Sequence, residues 1–207
     1  MPEHAAALLL TLLLAFGVGS ILGGQWLGRL RGLNLRQSGS GNIGATNALR
    51  AGGRKFGLLV LGFDAGKGAL AVAVTQALPL ATEAWVWLSG VAVVAGHIWS
   101  PWAGWSGGKG AATALGVALA LVPAHTAATL VVFLLGLVLS GYVSASMLAA
   151  FAALWLSLLL FPVHAALASW WAFMTWVLLC WTHRDNLQRL IAGTENRFTR
   201  VMLRPPP

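Results

Sequence analysis

Three polar stretches break an otherwise apolar chain, and their residue types are those that hold phosphate. The first is Ser38, Gly39, Ser40, Gly41, Asn42, Ile43, Gly44, Ala45, Thr46 and Asn47, followed by Arg50. The second starts at Gly96 and His97 and resumes at Gly107, Gly108, Lys109, Gly110, Ala111, Ala112 and Thr113. The third runs from Thr182, His183, Arg184, Asp185 and Asn186 to Arg197. Each sets glycine backbone or small hydroxyl and amide side chains beside a fixed cation. Glycines let backbone N–H groups close on an anion. A helix start adds unpaired donors and a positive dipole end, and arginine grips phosphate through two parallel hydrogen bonds.

Lys109 among three glycines is the sharpest of these features. A tight turn with an interfacial lysine would explain two glycines, but three around one lysine favour anion binding. The stretch is not a Walker A loop, which needs glycine where Ala103 stands and Ser or Thr where Gly110 stands. Phosphate binding without nucleotide hydrolysis is therefore expected, with Gly107, Gly108, Gly110 and Thr113 around Lys109. In the first stretch Gly41, Asn42, Gly44, Thr46 and Asn47 are the candidate phosphate ligands. Asn47 and Arg50 lie three apart on one face of a starting helix; a solvated loop is the bland alternative. His183 and Asn186 also share a helix face. His183 and His97 could orient a hydroxyl or phosphate, or act as a base near neutral pH. No carboxylate-rich set accompanies them, so no metal site and no cofactor is expected. Asp64 and Lys67, three apart in an apolar run, read as an intrahelical ion pair, or as one group turned toward the polar site.

The elements that carry these residues must be membrane helices. Of 207 residues, 58% are hydrophobic and only 9% charged, against about a quarter charged in soluble domains. The net charge of +8 does not suggest nucleic acid, because the basic residues flank apolar runs and form no soluble basic face. Cys180 stands alone, which excludes an internal disulfide. Met1, Pro2, Glu3 and His4 lack a positive n-region, so the first apolar run reads as a retained helix. A bilayer-crossing helix needs about 20 residues. Seven candidates follow: Ala5–Gly24, Phe56–Leu78, Ala84–Trp99, the short Thr113–Val122, Ala127–Leu139, Ser146–Phe161 and Ala165–Trp181. Gly17, Gly19, Gly23 and Gly24 should allow close helix packing. Trp99, Trp102, Trp105, Trp170, Trp171, Trp176 and Trp181 read mainly as interfacial anchors, or as an apolar wall for an acyl chain.

Seven spans put every cationic loop on one side. Arg29, Arg31, Arg36, Arg50, Arg54 and Lys55 share it with Lys109, with the turn holding Ser144, and with a tail carrying Arg184, Arg189, Arg197, Arg200 and Arg204. The other side holds Glu3 and Glu83. Positive residues favour the cytoplasm, so the N-terminus is expected outside and the C-terminus inside. Five spans with two re-entrant segments satisfy the same parity. The expected fold is an all-α polytopic membrane helix bundle, one domain over residues 1–207. The three polar stretches would then lie on one cytoplasmic face as a composite site for phosphorylated substrates.

The same residues resemble the three signature motifs of the bacterial acyl-phosphate:glycerol-3-phosphate acyltransferase family. The likeness rests on Gly39 to Asn47 with Arg50, on Gly96 and His97 with Gly107 to Thr113, and on His183 to Leu190 with Gly193 and Glu195. Phe63 to Gly68 and Ser140 to Ser144 also resemble family segments, and the match is collinear over nearly the whole chain. The chain departs at Ser106, where family members often carry Lys, and at Ser100, where a Pro has moved to Pro101. The resemblance implies a seven-helix, multi-pass enzyme of the bacterial inner membrane. It would transfer a fatty acyl group from acyl phosphate to glycerol 3-phosphate, giving lysophosphatidic acid and phosphate. It also implies that Ser40, Arg50, Lys109, Ser144, His183 and Asn186 hold glycerol 3-phosphate. Partners would be the two substrates, membrane lipid and, as a candidate, the enzyme that makes acyl phosphate. The rival readings are a transporter for an anionic solute, which also suits broken helices with anion sites at their ends, and a scaffold, which would not need Lys109.

Overall fold

The computed structural model describes residues 2–79, 81–163, 166–199 and 202–203, with side chains from residue 5 onward. Met1, Ala165, Arg200, Arg204, Pro205, Pro206 and Pro207 lie outside the described residues, as does the side chain of Glu3. The described residues form helices and connecting turns, with no strand among them, and fall into two compact units, Met1–Leu121 and Val122–Pro207.

The first unit holds α1 (Pro2–Ser20), α2 (Gly23–Arg29), α3 (Ala45–Gln76), α4 (Glu83–Ile98) and α5 (Ala111–Leu121). The expected first span breaks after Ser20, and α2 sets off at 48° to α1. Such a break strands backbone groups that a bilayer cannot hydrate. Two charged side chains of α3 satisfy them: Lys67 Nζ donates to Ile21 O at 2.8 Å and Asp64 Oδ1 accepts from Gly23 N at 3.1 Å. The Asp64–Lys67 ion pair closes at 3.0 Å, with both side chains buried.

Glycine sets the helix spacing, because without aqueous hydrophobic drive membrane helices associate through close van der Waals contact. A Cβ on Gly19 would overlap the Val93 carbonyl and one on Gly96 the Phe16 carbonyl, which locks α1 to α4. Gly68 against Thr113 and Gly116 against Ala65 do the same for α3 and α5. Gly23 and Gly24 are also close-packed, whereas Gly17 has open space around it, so no packing role falls to it. Leu22, Leu35, Ile43, Ala48, Phe56 and Val60 form a small core behind the first polar stretch.

The second unit holds α6 (Pro123–Ser140), α7 (Val143–Leu160), α8 (Ala166–Thr182) and α9 (Arg184–Ile191). Trp155, Phe173 and Trp176 cluster between α7 and α8, and Trp176 Nε1 donates to Leu148 O at 3.1 Å. The segment after α9 folds back: Phe198 N donates to Gly141 O at 2.8 Å, and the Arg197 guanidinium stacks 4.6 Å above the Tyr142 ring.

Large apolar side chains face outward along the helices, among them Leu13, Leu14, Leu58, Leu134, Leu135, Leu159 and Leu160. An apolar exterior of this extent needs lipid around it. By length and apolarity α3, α6 and α7 can each cross a bilayer, and α1 with α2 makes a fourth, bent candidate. The short α5 has 11 residues, a rise of about 16 Å, roughly half a hydrocarbon core.

Candidate functional site

The first polar stretch is a loop wound around one side chain. Asn47 is 1% exposed. Its Oδ1 accepts from Ser40 N at 3.0 Å, and its Nδ2 faces the carbonyls of Leu35 at 3.0 Å, Ser38 at 2.8 Å and Asn42 at 2.8 Å. Asn47 turns inward to shape the loop, while Arg50 is exposed on the first turns of α3. The loop leaves Ser40 exposed and Asn42 and Thr46 half-buried. Gly41 adopts a left-handed φ of 71°, and the Gly44 carbonyl starts α3 by accepting from Asn47 N and Ala48 N.

The glycine-rich loop is anchored on three sides. Gly107 N donates to Ile98 O at 2.8 Å and Gly108 N donates to His97 O at 3.0 Å. Those two N–H groups therefore hold the loop against the end of α4, a correction to their expected place around the anion. Arg36 Nη2 donates to the Ser106 carbonyl and reaches Gly107 O at 3.5 Å. Gly110, at a left-handed φ of 86°, turns the chain into α5. The first turn of α5 supplies N–H groups that have no acceptor within the helix, and Lys109 stands half-buried just before them. Thr113 is fully buried where α5 crosses α3: its carbonyl and methyl meet Gly68, while its Oγ1 has no hydrogen-bond partner among the described residues. His97 is likewise buried, with Nδ1 2.8 Å from Lys67 Nζ. It bears on the loop from beneath and does not face outward as a ligand would.

Arg36 was not singled out by its spacing, yet it ties the first polar stretch to the second. Arg36→Ala should raise KM for a phosphate-bearing substrate about three- to tenfold, the effect of losing one charged hydrogen bond that orders a loop. Steady-state kinetics on purified protein measure it.

In the second unit Glu195 gathers the motif residues. Ser144 Oγ donates to Glu195 Oε1 at 3.1 Å, Asn186 Nδ2 to the same oxygen at 2.6 Å, and Arg189 Nε to Oε2 at 2.7 Å. Burial alone would raise the Glu195 carboxyl; the hydrogen bonds from Asn186, Arg189 and Ser144, with the Arg189 charge, outweigh it and hold the group below its ordinary value. His183 Nδ1 lies 2.8 Å from Leu179 O. A carbonyl only accepts, so Nδ1 carries the proton and Nε2 of the neutral ring is the basic nitrogen. Glu195 and Arg189 were missed as organisers because nothing in their six-residue separation says that a chain reversal joins them and brings Glu195 onto Ser144.

A glycine-anchored loop with a lysine before a helix N-terminus, and a serine–asparagine pair ordered by a carboxylate with a histidine nearby in sequence, are tools for phosphate esters and acyl transfer. The protein-family model for glycerol-3-phosphate acyltransferase matches residues 9–193. The chain belongs to that family. A glycerol-3-phosphate acyltransferase of Deinococcus radiodurans is 44% identical over 191 residues, covering 92% of this chain and 95% of the relative. One from Thermus thermophilus is 45% identical, covering 91% and 94%. Among solved structures, the glycerol 3-phosphate form of the integral membrane acyltransferase PlsY superposes with a TM-score of 0.88 at 34% identity, covering 93% of this chain and 96% of PlsY. Its lysophosphatidic acid form gives 0.86 at 33%, covering 93% and 95%. As a member of this acyltransferase family, the chain is an enzyme with the all-helical fold of an integral membrane protein.

Proposed function

We propose that this acyltransferase moves a fatty acyl group from acyl phosphate to the primary hydroxyl of glycerol 3-phosphate, releasing lysophosphatidic acid and phosphate. The observation that carries the reading is the near-complete likeness to PlsY, whose crystal forms hold glycerol 3-phosphate and lysophosphatidic acid. The family match at residues 9–193 runs through both compact units, which supports one acyltransferase domain. Acyl phosphate as donor rests on the resemblance of the three motifs. Seven spans, an N-terminus outside, and a site on the cytoplasmic face of the bacterial inner membrane rest on the segregation of the cationic loops.

Ser40, Arg50, Lys109, Ser144, His183 and Asn186 serve glycerol 3-phosphate in this proposal. Lys109 and the α5 N-terminus supply positive charge, as do Arg50 and the loop shaped by Asn47. The substrate hydroxyl oxygen attacks the acyl carbonyl carbon. The bond from that carbon to the phosphate oxygen breaks, and phosphate leaves with the electron pair. The hydroxyl proton passes to a phosphate oxygen or to His183 Nε2. Phosphate is a good leaving group, so positioning and charge stabilisation carry most of the rate. No acyl-enzyme forms. Purified protein given acyl phosphate and radiolabelled glycerol 3-phosphate should form lysophosphatidic acid, and acyl-CoA in place of acyl phosphate should not support it. Product only with acyl-CoA, or a trapped acyl-serine or acyl-histidine adduct, would overturn the scheme.

A further inference from the structure

Three ionisable side chains of the first unit meet in its interior. Asp64, Lys67 and His97 are 1%, 6% and 3% exposed. The Lys67 ammonium has three hydrogens and three neighbours to receive them: Ile21 O at 2.8 Å, Asp64 Oδ1 at 3.0 Å and His97 Nδ1 at 2.8 Å. An ammonium only donates, so His97 Nδ1 presents a lone pair and the neutral ring carries its proton on Nε2. Nε2 lies directly under Gly108, where any Cβ would overlap it. The Gly108 N–H is itself bonded to the His97 carbonyl. Repair of the α1–α2 break accounts for Asp64 and Lys67. It does not account for a histidine reaching from α4, nor for its far nitrogen meeting the glycine-rich loop.

We propose that Asp64, Lys67 and His97 form a buried positioning relay that sets the height and orientation of the Gly107–Gly110 loop, and through it the placement of Lys109. Asp64 fixes Lys67, Lys67 fixes the tautomer and plane of His97, and the ring is the floor on which Gly108 rests. His97 is thus a positioning residue, one that acts through the loop. The inference rests on the acyltransferase reading of that loop.

The test uses the full-length purified protein and follows initial rates against each substrate. His97→Gln keeps an N–H donor near the Nε2 position; His97→Asn keeps an acceptor toward Lys67 and removes the group under Gly108. Both leave the Asp64–Lys67 pair in place, so insertion and melting in detergent should stay near wild type. The expected result is a KM for glycerol 3-phosphate or acyl phosphate raised about tenfold in His97→Asn, a change the size of one buried hydrogen bond. A smaller change in kcat and partial rescue in His97→Gln should accompany it. A double-mutant cycle provides the second readout. Gly108→Ala should be severe in the wild-type background and add little in His97→Ala, where the ring no longer opposes the new methyl. Unchanged KM in His97→Asn, or an equal penalty for Gly108→Ala in both backgrounds, overturns the relay. Wild-type protein inactive with both substrates would instead sink the acyltransferase reading.

Discussion

Lys109→Ala should lose at least about a hundredfold in kcat/KM, the scale seen when one preorganised positive group is taken from developing charge. Lys109 stands half-buried between two glycines whose backbones are fastened elsewhere, Gly108 to His97 O and Gly110 in its left-handed turn. The loop therefore keeps its course when the lysine side chain is cut back, and the variant should insert and melt as wild type does. What is lost is a full charge next to the positive end of α5, where a phosphate would otherwise feel both. Lys109→Arg keeps the charge but spreads it over a planar fork, so it should recover only part of the rate. Initial-rate assays on protein matched for insertion decide the matter. Near-normal turnover in Lys109→Ala would remove the loop from the substrate site.

Glu195→Ala should damage stability and turnover together. The carboxylate accepts from Ser144, Asn186 and Arg189, so its loss strands three donors and frees two residues assigned to the substrate. A stability loss of about 1–3 kcal/mol follows from leaving such groups unsatisfied, with turnover down about tenfold or more. Glu195→Gln keeps the shape but not the charge, and should fall between. The sign of the pH dependence follows from the carboxyl being held below its ordinary 4.5. Its contribution is fully present above the ordinary value and is lost as pH falls through the lowered one. The melting gap between wild type and Glu195→Gln should thus be open at neutral pH and narrow below about 4.5. A gap that is constant or widens on acidification would contradict the network.

Much of the architecture was readable from residue order. Six of the seven expected apolar segments fall on single helices and the first on the broken α1–α2 pair, because apolar runs bounded by proline, glycine and charge have few other ways to satisfy their backbone in lipid. The Asp64–Lys67 pair was visible as well, since residues three apart inside a helix must share a face. Asn47 and Arg50 have the same spacing, yet only Arg50 is exposed. Asn47 lies at the very start of α3, where the preceding loop offers four backbone groups to its amide, and they draw it inward. Gly107 and Gly108 were read as letting their N–H groups close on an anion. The chain they approach is the end of α4, so their N–H groups anchor the loop.

By itself the sequence determined the class of molecule and the kind of chemistry. Its apolar content demanded lipid, and its glycine-flanked cations demanded an anion. Only the tertiary structure decided which polar atoms remain for that anion and which hold the protein together. Asn47 and His97 carry the right groups for phosphate, but packing directs them inward onto protein partners. Glu195, six residues beyond Arg189, becomes the centre of the second unit's motif through a chain reversal. The physical reason is that a side chain's type follows from sequence, while its partners are set by burial. A buried polar group must be satisfied by whatever long-range neighbour the packed helices bring to it.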